Sequence, residues 1–358
     1  MLKIKVEKSL APSSISRIVV PIVAAFCALL FCAVFFALTN RNPLDVYTAM
    51  FMGALGSEYG ISETIVKTIP LALCALGIAV AFRMQLWNIG AEGQFYMGAC
   101  AATWVPLTFP QWPFALMLPA MIVMSVLGGG LWGLIAGWFK TKWLVNEIIT
   151  TLMMNYIAIL WVNYLVYGAW KDPQGLNFPL TAAFPAAAML PTFGALRVHY
   201  GIFFVLILVG VFLVVFKDSR WGYETLVIGS NPTAARYAGI NIRRNVLLAM
   251  FISGAVSGFA GMVEVSGIVG KLQPGISPGY GYTAIIVAWL ARLHPVAIVI
   301  VAFLFAIISV GGFMVQTLGI PSAAATMLQG AILFFVVGAD ILTQYEIKLV
   351  GKGGGADE

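Results

Sequence analysis

Residues 87–94 read Trp-Asn-Ile-Gly-Ala-Glu-Gly-Gln and lie between two uncharged apolar stretches, 69–82 and 95–109. A carboxylate, two amides and two glycines thus sit where the chain is otherwise built for lipid. An ionisable group at membrane depth costs roughly 3 kcal/mol or more on insertion scales, so it marks a functional position. The glycines let the backbone leave a helix, and non-helical backbone in a bilayer is tolerated only inside protein or beside a wet cavity. Helices broken in this way are how membrane proteins present helix ends to a solute. The octet therefore points to a solute path, with Asn88, Glu92 and Gln94 as its polar groups. The plainer alternative is a structural hydrogen bond that holds a broken helix.

Composition sets the class. Of 358 residues 61% are hydrophobic and 9% charged. The mean hydropathy is +0.96. Soluble domains carry about 25% charged residues, so this is an integral membrane protein. The expected architecture is all-α, a single polytopic domain over 1–358. The net charge of +6 is a loop property that reports orientation, and no nucleic-acid partner is expected. Cys27, Cys32, Cys74 and Cys100 all fall in apolar spans without C-x-x-C spacing and read as small buried hydrophobes. Two histidines, His199 and His294, make a histidine metal site unexpected. The apolar run 18–38 is longer than a signal-peptide core and reads as a retained first helix.

Ten apolar segments can span: 18–38, 62–82, 90–109, 114–138, 146–168, 201–216, 246–268, 280–292, 296–318 and 323–343. The third and eighth begin at glycine-rich sequence and are expected to be broken or re-entrant. With the N-terminus inside, the inner segments hold Lys3, Lys5, Lys8, Arg17, Arg83, Lys140, Lys142, Lys217, Arg220, Arg236, Arg243, Arg244, Arg292, Lys348 and Lys352. The outer loops hold Arg41, Lys171, Arg197 and Lys271, and Lys67 lies within a span. This bias puts both termini, 1–17 and 344–358, in the cytoplasm, with 169–200 an outer loop and 217–245 the main inner loop. Two sets of five spans with opposite directions predict an inverted five-plus-five repeat. Its two third members start alike, with Gly90-Ala-Glu-Gly-Gln and Gly279-Tyr-Gly-Tyr-Thr, and a site is expected between them. Tyr282 is the residue of the second cluster assigned to the path.

On the fifth span Glu147, Thr151 and Asn155 are spaced by four and share an arc of roughly 80°. Such a stripe faces a cavity or forms a seam to another helix. Thr151 and Asn155 are candidates for the path, and Glu147 reads as a helix-start charge. Gly129, Gly133 and Gly137, like Gly254 and Gly258, read as close helix packing. Glu63 and Lys67 read as an i,i+4 pair, and Glu264 and Asp340 as solvated ends.

The inner loop contains a capped helix of about two turns. Asn231 is an N-cap, Pro232 suits the first helical position, and Gly239 suits the stop. A helix this short is unstable alone, so it must dock, either on a partner or on the membrane surface. Ala235, Arg236, Tyr237 and Ile240 supply its contact face. The chain has no G-x-x-x-x-G-K-[ST] loop; Gly270-Lys271 is followed by Leu and Gly351-Lys352 by Gly. Nucleophile–base sets, dinucleotide fingerprints and metal spacings are also missing, so neither an enzyme nor a bound cofactor is expected.

Four segments carry a family resemblance. They are Asn88-Ile-Gly-Ala-Glu-Gly-Gln94, 147–157 (EIITTLMMNYI), 229–240 (GSNPTAARYAGI) and Pro278-Gly-Tyr-Gly-Tyr-Thr283. In this order they resemble permease subunits of bacterial ABC importers, in the branched-chain amino-acid and simple-sugar permease family, nearest to the nucleoside (guanosine-type) uptake permeases. Trp87 stands where Phe is more usual. The resemblance implies a translocation path for nucleosides in the bacterial inner membrane. It also implies a second permease subunit, a cytoplasmic ABC ATPase and an extracytoplasmic solute-binding protein. The capped inner helix would then be the coupling helix. A simple sugar such as ribose, or a branched-chain amino acid, is the alternative solute. An ion-coupled secondary transporter, which would work without an ATPase, is the alternative class.

Overall fold

The computed structural model describes residues 3–8, 16–194, 196–321, 323–343 and 345–350. It contains the helices α1 (Ser16–Leu38), α2 (Pro43–Leu55), α3 (Glu58–Phe82), α4 (Ala91–Thr108), α5 (Phe114–Trp143), α6 (Glu147–Tyr167) and α7 (Gly201–Asp218). After these come α8 (Arg220–Ser230), α9 (Pro232–Tyr237), α10 (Ile242–Glu264), α11 (Tyr280–Leu290), α12 (Pro295–Met314) and α13 (Ala323–Thr343). A π-helical turn, Val265–Val269, continues α10. Strands β1 (Lys3–Lys8) and β2 (Tyr345–Val350) pair antiparallel, with Lys3 opposite Val350. They are the only named strands among the described residues, and they lie in the two expected tails.

Each of the ten predicted spans is a helix within a few residues. Among the described residues six helices are long and apolar enough to cross a membrane: α3, α5, α6, α7, α10 with its π turn, and α12. The apolar parts of α11 and α13 are shorter. Helices α1 and α2 form a pair bent by 117°. Neither α2 nor α8 was expected. In α2 the signal is local, for Asn42 accepts the N–H of Leu44 at 3.1 Å just ahead of Pro43, an N-cap followed by proline.

The chain forms two compact units, Met1–Gly53 with Ile308–Glu358, and Ala54–Ile307. In the first, α1 packs on α13, with Phe31 and Phe335 ring centroids 5.9 Å apart. The Tyr47 hydroxyl donates to the Leu29 carbonyl at 2.6 Å. The side chain of Asp340 lies outside the described residues.

The second unit is built around α3 and α10. Their most apolar stretches are 89% and 78% buried, against 28% for α6 and 17% for α7. Lipid is as apolar as leucine, so close van der Waals contact, not the hydrophobic effect, holds such helices together. Small residues make that contact possible. A Cβ on Gly129 would stand 2.3 Å from the Gly254 carbonyl, and one on Gly254 would stand 2.3 Å from the Gly129 carbonyl. Helices α5 and α10 therefore meet backbone to backbone, as the glycine spacing predicts. Hydroxyls in the core are satisfied locally: Thr64 donates to Gly60 O at 2.9 Å and Thr68 to Thr64 O at 2.7 Å.

Candidate functional site

Helix α4 starts where α3 has ended and the chain has turned at 83–90. Its N-cap, Gly90, provides no side-chain bond, so the free N–H groups of the first turn need partners from elsewhere. Asn155 on α6 provides one. Its Oδ1 accepts the N–H of Gly93 at 2.8 Å, and its Nδ2 donates to the Ile89 carbonyl at 2.8 Å. One amide thus clamps both sides of the break. Thr151, one turn earlier, accepts the N–H of Ile89 at 3.2 Å and donates to Glu147 O at 2.6 Å. The stripe on the fifth span is therefore a seam to the octet.

Asn88 and Gln94 exchange two side-chain bonds, at 3.0 and 3.1 Å, and Asn88 also donates to Ser253 of α10 at 2.9 Å. Glu92 reaches the other broken helix. Its Oε2 accepts the N–H of Gly281, in the first turn of α11, at 2.7 Å. The Ser277 hydroxyl lies beside the same carboxylate and accepts the N–H groups of Gly279 and Tyr280 at 3.1 and 2.9 Å. A carboxylate between two helix N-termini offsets the positive ends of both dipoles.

Asn88, Glu92, Gln94, Thr151 and Asn155 are each at most 3% exposed. Tyr282 is 37% exposed, and its hydroxyl accepts from Asn155 Nδ2 at 3.3 Å. All six predicted path residues therefore gather where α4, α6 and α11 meet. Five form a closed network and one reaches the surface. Gly281, from the second glycine-rich cluster, completes the network together with Ser253 on α10 and Ser277 in the loop before α11. The two serines are not singled out in the sequence, because an isolated serine carries no spacing signal.

Two charge pairings differ from expectation. Glu63 pairs with Arg197 at 2.7 Å, not with Lys67. Lys67 pairs with Glu264 at 3.4 Å, and Glu264 is buried rather than solvated. Helix spacing favours an i,i+4 partner, but each side chain here meets an opposite charge across the fold. Glu147 is bound by Lys140 at 2.7 Å, and Asn146 caps its helix by accepting the N–H of Ile148 at 2.9 Å.

The predicted inner helix is α9. Asn231 Oδ1 accepts the N–H groups of Thr233 and Ala234, both at 3.0 Å, with Pro232 at the first position. At the other end Gly239 has φ +74°. Gly239 N–H bonds Arg236 O and Ile240 N–H bonds Ala235 O, both at 3.0 Å, which is the Schellman stop. Ala235 is fully buried, while Tyr237 is 91% exposed. Arg236 is exposed and Ile240 half-buried. The preceding α8 is part of the same platform. It starts at Ser219, which accepts the N–H of Gly222 at 2.9 Å, and buries Gly222, Thr225, Ile228 and Gly229. Glu224 on α8 is held below the usual carboxylate range, chiefly by the Asn245 amide, which donates to it at 2.9 Å.

A cleft of about 560 Å³ opens beside this platform. Trp87 and Trp289 stack in its wall with centroids 5.2 Å apart, and Ser230 lines it immediately before the Asn231 cap. Arg83 also lines it, lying over the Phe216 ring at 4.3 Å.

Residues 60–337 match the family described as branched-chain amino acid transport system, permease component. A glucose ABC transporter permease protein of Haloferax volcanii is 33% identical over 94% of this chain and 91% of its own. A guanosine ABC transporter permease protein of Bacillus subtilis is 32% identical over 95% of this chain and 98% of its own. A nucleoside ABC transporter permease protein of Lactococcus lactis is 29% identical, covering 89% and 90%. The chain is a multi-pass membrane protein and belongs to the branched-chain amino-acid permease family, as a transport subunit of the ABC class.

Proposed function

We propose that this chain forms the translocation path for nucleosides in an ATP-driven importer. The observation that carries this reading is Tyr282, the half-exposed edge of an otherwise buried polar network between two broken helices. A phenol offers a flat face for a nucleobase and a hydroxyl for a ribose. Asn155 orients that hydroxyl, and Asn88, Glu92, Gln94 and Thr151 hold the helix starts behind it. The guanosine and nucleoside relatives support the solute. The glucose relative supports a second reading, a simple sugar. Labelled guanosine, ribose, glucose and leucine offered to the reconstituted importer, with and without ATP, decide between them. ATP-dependent guanosine uptake is expected. Uptake of sugar alone would overturn the nucleoside reading, and uptake without any ATPase would overturn the ABC mechanism.

The coupling role belongs to α9. It carries an exposed Tyr237 on a helix capped at both ends, as a docking knob requires, and Arg236 and Ile240 flank it. The partners on this reading are a cytoplasmic ABC ATPase, a second permease subunit and an extracytoplasmic solute-binding protein. The protein sits in the bacterial inner membrane with both termini in the cytoplasm. Single cysteines placed at Gln174 or Gly194 should then react from outside, and one at Ser230 should not.

A further inference from the structure

Lys67 lies nine residues into α3, on a helix otherwise free of charge from Ile65 to Phe82. Its ammonium stands 3.4 Å from Glu264 Oε1 at the end of α10 and 5.6 Å from the ring centroid of Tyr280, the first residue of α11. The Tyr280 hydroxyl donates to the same Glu264 oxygen at 3.5 Å. The second oxygen of Glu264 is buried and has no partner. Three helices thus meet in one charged cluster, and the next residue of α11, Gly281, is the one that bonds Glu92.

The geometry of this cluster is unusual in its setting. Two partly exposed pairs, Lys140–Glu147 and Arg197–Glu63, close to 2.7 Å. The pair with the most deeply buried carboxylate, where good geometry matters most, stays at 3.4 Å. Charge-assisted bonds close to about 2.7–2.9 Å when unhindered. Burying a charged pair is costly unless its remaining lone pairs are also bonded, and here one oxygen is left open. Directly after Glu264 the α-helix widens into the π turn Val265–Val269. Such turns are rare and concentrate at functional sites.

We infer that Lys67, Glu264 and Tyr280 form a joint between α3, α10 and α11 that rearranges during transport and positions the start of α11 on Glu92. These are positioning residues, which act on the path through Tyr280 and Gly281. The inference rests on the transport reading above but not on the identity of the solute.

The decisive variant is Lys67→Met/Glu264→Gln in the fully assembled, reconstituted importer. It removes both charges together, so no unpaired charge is buried. Assembly and thermal unfolding are expected to match the wild type. ATP hydrolysis should continue while uptake falls at least tenfold. Wild-type uptake by this variant would overturn the joint and leave a static packing pair. If the double variant assembles poorly, Glu264→Asp takes its place. It keeps the charge but shortens its reach, and several-fold slower uptake is expected, with wild-type uptake again overturning the inference. If the wild-type importer takes up none of the solutes tested, the solute reading fails. The joint is then read from the stimulation of ATP hydrolysis by the solute-binding protein, which the variant should lose; retained stimulation would overturn it.

Discussion

The carboxylate of Glu92 and the backbone N–H of Gly281 meet at 2.7 Å, although 189 residues separate them. This bond joins the first turns of α4 and α11. Gly90 and Gly279 provide no side-chain acceptor of their own, so the bond joins Asn155, which takes the Gly93 N–H of α4, and Ser277, which takes the Tyr280 N–H of α11, in holding the two starts.

The junction leaves no room for a side chain at Gly281, where a Cβ would stand 2.2 Å from Glu92 N. Gly281→Ala should destabilise the permease by about 1–3 kcal/mol, the usual range for overpacking, and reduce uptake. Glu92→Gln keeps an acceptor for the N–H and should retain the folded yield while lowering uptake several-fold. Glu92→Ala leaves a buried donor unpaired, at about 1–3 kcal/mol, and should lose both. Size-exclusion yield and thermal unfolding in detergent separate the three.

Close helix packing predicts a second contrast. Gly129→Ala would push a methyl group to 2.3 Å from the Gly254 carbonyl, costing about 1–3 kcal/mol. On α7, a Cβ at Gly210 would meet nothing within 4 Å. Gly210→Ala should be neutral or slightly stabilising, because alanine favours the helix by up to about 1 kcal/mol. Equal unfolding temperatures for the two variants would refute the packing argument.

Tyr237 touches little of its own chain, so Tyr237→Ala should leave the unfolding temperature of the isolated permease unchanged. Its effect is expected in the assembled importer, as weaker ATPase capture or as hydrolysis without uptake. A buried aromatic is the likelier class of energetic anchor in an interface than a rim charge, so Arg236→Ala should cost less. Asn231→Ala removes both cap bonds and should cost about 1 kcal/mol, detectable as faster amide exchange at Thr233 and Ala234.

His199, just ahead of α7, is fully buried, with Nδ1 accepting the N–H of Gly201 at 3.2 Å. Burial pushes its pKa down to about 4, against about 6.5 for a free histidine. Between these values the unfolded chain binds the extra proton and the folded one does not. Stability from this group is therefore complete above pH 6.5 and falls as the pH drops towards 4, by about 3 kcal/mol in all. His199→Asn keeps an acceptor for Gly201 but does not titrate. Unfolding temperatures measured from pH 7 to 4 should fall less steeply in this variant, and an unchanged slope would show that other groups control the acid response.

Local chemistry made much of this protein legible in its sequence. The apolar runs became helices because a backbone in lipid must satisfy its own hydrogen bonds. The ends of α9 follow from Asn231, Pro232 and Gly239, whose preferences act within a few residues. The glycine spacing of α5 likewise foretold its contact with α10, though not which glycine it would meet. The α8 helix is not legible because its buried face consists of Gly222, Thr225, Ile228 and Gly229, with a single large apolar side chain to mark it.

Partner choice was decided by the tertiary structure alone. Glu63 had Lys67 one turn away, yet it pairs with Arg197, and Lys67 turns to Glu264. Asn155 was recognisable as a polar group on an apolar helix, but not as the clamp on the start of α4. Spacing along a helix limits which side chains share a face. Which of them meet across 60 to 200 residues depends on how the helices cross, and that is set by backbone contacts at residues such as Gly129, Gly254 and Gly281.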